Sequence, residues 1–198
     1  MMADETGLSL RRAIATVAIL NLAYFGVELG VALRIGSVSL VADSADFFED
    51  AAVNGLILLA LGWRARPRAR VGLALSGVLL LPVAAFLWTL WRKLAAPTPP
   101  DPGALALTGL GALAINLFCA VLLARYRAHA GSLTRAAFLS ARNDAAANLG
   151  IIGAGLVTAL TRSLWPDVVV GLAIAGMNLD AARQVWAAAR GEHAAAEP

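Results

Sequence analysis

The sequence predicts an all-α integral membrane protein with six transmembrane helices, and three observations carry that prediction. Of the 198 residues, 60% are hydrophobic, and the mean hydropathy of +0.73 lies well outside the soluble range. Apolar stretches of roughly 18 residues or more recur along the whole length. Between them fall short Arg-rich or Pro-rich turns. Residues 1–9 read as a cytoplasmic tail, 10–190 as the membrane domain, and 191–198 as an Ala-rich tail too short to fold. Met1–Leu8 is acidic, with neither a basic n-region nor a cleavage site, so no signal peptide is expected. The single cysteine, Cys119, excludes an internal disulfide and reads as a small core residue. His129 and His193 fall in a loop and in the tail, as solvated side chains. The pI near 9.7 reflects Arg-rich loops, which in this setting report topology and not nucleic-acid binding.

The first span, about Leu10 to Leu33, carries Asn21, Tyr24 and Glu28, with Gly26 and Gly30 spaced to let another helix approach. Glu28 has two readings that the sequence leaves open. It backs a buried site or relays protons, or it snorkels outward toward Arg34. A tight Arg34–Ser37 turn leads to the second span, Val38 to Trp63, and then to the basic run Arg64–Arg70. The third span, Val71 to Trp91, has Pro82 as a kink and Trp88 and Trp91 at a membrane interface. Ala96–Pro102 is too Pro-rich to be helical and must be a loop. The fourth span, Gly103 to Ala124, holds Asn116 and Cys119, and the segment His129–Thr134 reads as a polar hinge. The fifth span, Arg135 to Leu160, contains Ser140, Arg142, Asn143, Asp144 and Asn148. Trp165-Pro-Asp167 makes a turn with Pro166 suited to a first helical turn, and the sixth span runs from Val168 to Trp186.

Orientation follows from the arginines. Placing both termini in the cytoplasm collects Arg11, Arg12, Arg64, Arg66, Arg68, Arg70, Arg125, Arg127, Arg135, Arg183 and Arg190 on that side. Only Arg34, Arg92, Lys93 and Arg162 face the other way.

The second span is where chemistry is expected. It is apolar enough to sit in lipid, yet it holds Asp43, Asp46, Glu49 and Asp50. Each carboxylate near a bilayer centre costs at least ~2.5–3.5 kcal/mol, so four on one helix need a reason. Asp46 and Asp50 are i and i+4 and stack on one face, with Asp43 one turn back and Glu49 on the flank. Such a stack repels itself unless a divalent cation, or protons, sit within it. The alternative is that these acids cap a helix starting near Phe47 and face water.

Asp50-Ala-Ala-Val-Asn54 is echoed by Asp144-Ala-Ala-Ala-Asn148 on the fifth span. Spans two and five are equivalent members of two three-span halves, and an odd count per half predicts an inverted 3+3 pseudo-repeat. Such halves place a shared site near the midplane. At 1.5 Å per residue, Asp50 lies about 20 Å and Asp144 about 14 Å from the inner ends of their spans. A four-letter match in an Ala-rich chain can arise by chance; the depth match does not rely on it. Asp46, Asp50 and Asp144, with Ser140 one turn before Asp144, are therefore the candidate metal ligands. Asp43, Glu49, Asn143, Asn148 and Glu28 are candidates to support them or relay protons. Oxygen donors suit hard to borderline divalent ions, and zinc accepts carboxylates. Metal binding must displace protons from these groups, which supplies an exchange mechanism.

These residues carry a resemblance. Ser39-Leu-Val-Ala-Asp43 followed by Asp46 and Asp50 resembles the second span of cation diffusion facilitator transporters, where an SLxAD segment precedes a His-or-Asp-xxx-Asp pair. Ser140-Ala-Arg-Asn-Asp144, with Gly150 beyond it, looks like that family's fifth-span pair, and Trp165 to Arg183 resembles its sixth span. The likeness covers essentially the whole chain. It implies a divalent cation/proton antiporter exporting zinc, or alternatively cadmium, cobalt, iron or manganese, from the cytoplasm across a bacterial inner membrane. It implies the metal-ligand positions for Asp46, Asp50 and Asp144, with no resident cofactor and no enzymatic activity. Two departures follow. Ser140 stands where the family usually has His or Asp, so Asn143, Asn148 or water must complete the shell. The family's cytoplasmic dimer-forming domain is not found after the sixth span, so a homodimer would be built from membrane helices.

Two other classes compete. Membrane phosphotransferases also hold metals with helical aspartates, but they need an Asp-Gly followed by Ala-Arg, and here Asp43 is followed by Ser. A non-transporting scaffold or partner subunit would pair its acids with another protein's basic residues. Arg142 would repel a cation if it touched the site, so the cytoplasmic vestibule or a neighbouring acid is its expected place.

Overall fold

The computed structural model describes residues 2–60, 80–124 and 131–179, with side chains for 10–55, 58, 81–124 and 143–179. Arg64–Arg70, His129, the side chains of Ser140 and Arg142, and Asp180 to Arg190 lie outside the described residues, as does His193. Among the described residues six helices follow one another: α1 (Met2–Ile35), α2 (Val38–Ala60), α3 (Leu80–Ala95), α4 (Pro102–Ala124), α5 (Gly131–Thr161) and α6 (Trp165–Leu179).

Their surface is inverted relative to a soluble protein. Asn21, Glu28 and Asn148 are fully buried, while Leu107 is 71% exposed and Ile19 66%. That distribution satisfies a hydrocarbon solvent, where apolar side chains face outward and polar groups must be hidden. Leu10–Ile35, Pro102–Ala124 and Asn143–Thr161 are long and apolar enough to cross a membrane, with mean hydropathies of 1.7, 2.2 and 1.3. At 23 residues α2 has the length as well, but it carries the four acids. The chain is an all-helical membrane protein.

The Arg34–Ser37 turn is as tight as its sequence predicts. Gly36 takes the left-handed conformation (φ 63°) and the Ser37 N–H reaches back to the Ala32 carbonyl at 2.9 Å. This is the glycine-terminated helix end in which only a residue without Cβ is unstrained. The turn folds α2 back along α1, and the pair is locked by Tyr24 on Phe47 and Phe25 on Phe48, with ring centroids 5.0 and 4.9 Å apart. Tyr24 also donates its hydroxyl to the Thr108 carbonyl at 2.6 Å, tying α1 to α4. Val38, Leu40 and Val41 of α2, Leu105 of α4, Ile151 of α5 and Val168 of α6 share one buried core.

Four expectations are corrected. The polar hinge His129–Thr134 is helical from Gly131 onward, because Ser and Thr are well suited to a helix start. The longer helix puts Asp144 13 residues from its beginning, about 20 Å, the depth expected of Asp50. The sixth helix begins at Trp165, not Val168, with Pro166 in its first turn. Gly26 and Gly30 face no described helix, since a Cβ at either would meet nothing within 4 Å. Small-residue spacing permits close approach without supplying a partner. Finally, Glu28 does not snorkel toward Arg34: it is fully buried.

Candidate metal centre

The site is built from the capped end of α2 inward. A helix starting inside a bundle exposes unpaired N–H groups and the positive end of its dipole. Here Asp167, in the first turn of α6, satisfies them. Its carboxylate accepts the Val38 N–H at 2.9 Å, the Ser39 N–H at 3.1 Å, the Ser39 hydroxyl at 2.7 Å and the Ser37 hydroxyl at 2.6 Å. Ser37 Oγ in turn accepts the Leu40 N–H at 3.1 Å, completing the first turn. Lys93 of α3 approaches the same carboxylate at 3.7 Å, with both side chains buried. Gly171, one turn along α6, allows the approach, because a Cβ there would lie 2.8 Å from the Val38 carbonyl carbon. Three helices thus meet in one buried polar knot at this end of the bundle.

From that anchor α2 carries its acids inward. Asp46 and Asp50 lie 8 and 12 residues beyond Val38, about 12 and 18 Å along the axis, which brackets the middle of a ~30 Å hydrocarbon core. There a cavity of about 140 Å³ is lined by Asp46, Glu49 and Asp50 of α2, Asn143, Asp144 and Ala147 of α5, and Ile174, Met177 and Asn178 of α6. Asp46, Asp50 and Asp144 are half-buried in it, and Glu49 and Asn143 are exposed at its rim. The charge on Asp46 is felt against those of Asp43, Asp144, Glu49 and Asp50. The two helices run antiparallel at this point, since the start of α2 meets the start of α6, which follows the end of α5.

The water-facing cap reading of the α2 acids is overturned, since the helix starts at Val38 and Asp43 is 1% exposed. Asp43 lies beside Glu28, which in turn feels Asp46, so a line of carboxyls runs from α1 to the cavity. Neither Glu28 oxygen, nor Oδ2 of Asp43, has a hydrogen-bond partner among the described residues. Asn148 is buried with neither amide atom hydrogen-bonded among the described residues, and it does not line the cavity. Its counterpart Asn54 instead donates to the Asp50 carbonyl at 2.8 Å, so the sequence echo is not an echo of environment. Cys119 is a buried free thiol on α4, close enough to Asp50 to feel its charge. Among the described residues, no three His, Cys, Asp or Glu side chains are drawn together tightly enough to hold a metal ion. The acids share a cavity without being clenched around a point.

Sequence reasoning missed two residues. Asn178 adds an amide to the cavity from α6, and its signal was a polar residue late in an apolar helix, at i+4 from Ile174. Asp167 was read only as part of a turn. Its signal was the unsatisfied start of α2, which had to find an acceptor somewhere.

Residues 14–189 match the cation efflux transmembrane domain. No functionally curated protein matches the chain. The family is one of transporters and not of enzymes. The chain belongs to the cation efflux family, the cation diffusion facilitators, and is an integral membrane cation transporter.

Proposed function

We propose that the chain exchanges a divalent cation, zinc foremost, for protons, exporting the metal from the cytoplasm of a bacterial cell across the inner membrane. The observation carrying this reading is the shared cavity: Asp46, Asp50 and Asp144, from two antiparallel helices, line one space at mid-depth. Carboxylate and amide oxygens at that place suit a borderline dication, and Asn143 and Asn178 supply neutral donors beside the acids. Cadmium, cobalt, iron and manganese are the alternative cargoes. The loose spacing of the acids fits a site that must release its ion as well as bind it. With the cation gone, like charges at this depth are relieved by protons, and a returning cation must displace them. Metal outward and protons inward are then the two halves of one cycle. The termini lie on the cytoplasmic side in this reading, and any homodimer is formed by membrane helices.

The test is flux in proteoliposomes. Zinc movement driven by an imposed pH gradient and opposite in direction to the proton flow is the expected result. Zinc movement with no proton counterflow removes the antiport reading, and no zinc movement at all points to one of the alternative cargoes.

A further inference from the structure

A second cavity, of about 580 Å³, opens at the capped end of the bundle between the end of α1, the last turns of α3 and the loop around Ala96 and Thr98. It shares no residue with the carboxylate cavity. Three basic side chains line it, Arg34, Arg92 and Lys93, beside the apolar Leu33, Ile35 and Trp88. Lys93 is only 4% exposed and is fixed by the Thr98 carbonyl at 3.0 Å and by Asp167. Arg34 and Arg92 have no acidic partner among the described residues. The ends of α1 and α3 account for part of this charge, because a helix C-terminus carries about half a negative charge. Subtracting two such termini and Asp167 from three cations still leaves an excess of about one positive charge.

We propose that this cavity binds a phosphate-bearing anion, in the first place the phosphodiester headgroup of an anionic phospholipid. The two guanidinium groups present forked donors that match phosphate oxygens, and the buried ammonium adds a fixed point charge. A monoanionic phosphodiester balances the excess, whereas free phosphate carries more charge and leaves the apolar wall unused. Trp88 and Trp91, both exposed and with ring centroids 5.1 Å apart, stand where aromatic side chains mark the lipid–water boundary. Basic pockets between membrane helices hold anionic headgroups on the cytoplasmic side of membranes, and the same pairing of guanidinium with phosphodiester operates at the opposite boundary, where this cavity opens. Lys93 joins this pocket to the knot that caps α2, so the bound headgroup secures α3 against α2 and α6. The inference does not depend on the cation site.

The full chain, purified in a neutral detergent, is titrated with phosphatidylglycerol, with phosphatidylcholine and with inorganic phosphate. Thermal unfolding and native mass spectrometry provide the readouts. Phosphatidylglycerol is expected to raise Tm saturably and to be retained at one copy per chain, with phosphatidylcholine doing neither. The R34Q/R92Q double variant should need at least about tenfold more phosphatidylglycerol for the same shift, and R34K/R92K, which keeps the charge but loses the forks, should fall between. Both arginines are exposed, so these variants fold, and R162Q, an exposed arginine outside the cavity, should respond like the parent. If inorganic phosphate alone gives the same Arg34- and Arg92-dependent shift, the site stands with a soluble anion as its occupant. Equal responses to the two lipids, or an unaltered response in R34Q/R92Q, overturn the proposal.

Discussion

The carboxylate of Asp167 accepts the hydroxyl of Ser39 at 2.7 Å, joining two residues 128 positions apart. That contact holds the first turn of α6 against the first turn of α2 and sets the height at which every acid on α2 stands. Replacing Asp167 with Asn should cost about 1–3 kcal/mol, since one oxygen becomes a donor facing the Val38 N–H. Lys93→Met should cost less, because Asp167 keeps its four hydrogen bonds. The double variant should fall short of additivity by about 0.5–3 kcal/mol, as expected for buried partners in one network. Unfolding in detergent measures all three, and strict additivity would show that the ion pair is incidental.

Gly171 and Gly176 lie on the same helix and should behave oppositely. A Cβ at 171 would sit 2.8 Å from the Val38 carbonyl carbon and 2.9 Å from the Ser39 nitrogen, so Gly171→Ala must push α6 outward. A loss of about 1–3 kcal/mol is expected. A Cβ at 176 meets nothing within 4 Å, and Gly176→Ala should gain about 0.5–1 kcal/mol through helix propensity. Equal effects in thermal unfolding would contradict the packing described.

Glu28→Gln separates proton handling from cation binding. Gln keeps the volume of Glu28 and has an amide to donate to the neighbouring Asp43, so stability should change by less than about 1 kcal/mol. The zinc-induced rise in Tm should persist, while flux driven by a pH gradient slows. Unchanged flux in the variant would remove Glu28 from the relay.

Acidity should oppose the cation. Ligand carboxylates bind metal only when deprotonated, so the zinc concentration giving half-maximal stabilisation should rise as pH falls. In the competitive range the rise is about tenfold per pH unit for each proton displaced. Titration of Tm against zinc at several pH values checks this; a pH-independent midpoint would mean that no protons leave.

The fold and the cavity acids were legible because they break a rule. Asp46 and Asp50 at helical spacing inside an apolar run, and Asp144 in a second one, are costly wherever a membrane is the solvent, so their placement announces a shared purpose. Gly36 and Pro166 were legible for the opposite reason, as residues whose backbone preferences match a helix end. Asp167 was not, because its partners are backbone N–H groups on another helix, and local capping patterns do not reveal tertiary ones. Asn178 was hidden by the unknown rotation of α6. Gly26 and Gly30 misled, since their spacing states what a helix surface tolerates and not what lies against it.

Zinc-dependent thermal stabilisation of the purified chain, compared across Asp50→Asn, Asp144→Asn and the pair combined, decides whether one cation bridges α2 and α5. Each single variant should lose the stabilisation, and the double should lose no more than either single. Asp101→Asn should retain it, since Asp101 lies at the start of α4, where Asn caps equally well. Full zinc stabilisation in both Asp50→Asn and Asp144→Asn would show that these two carboxylates do not share an ion.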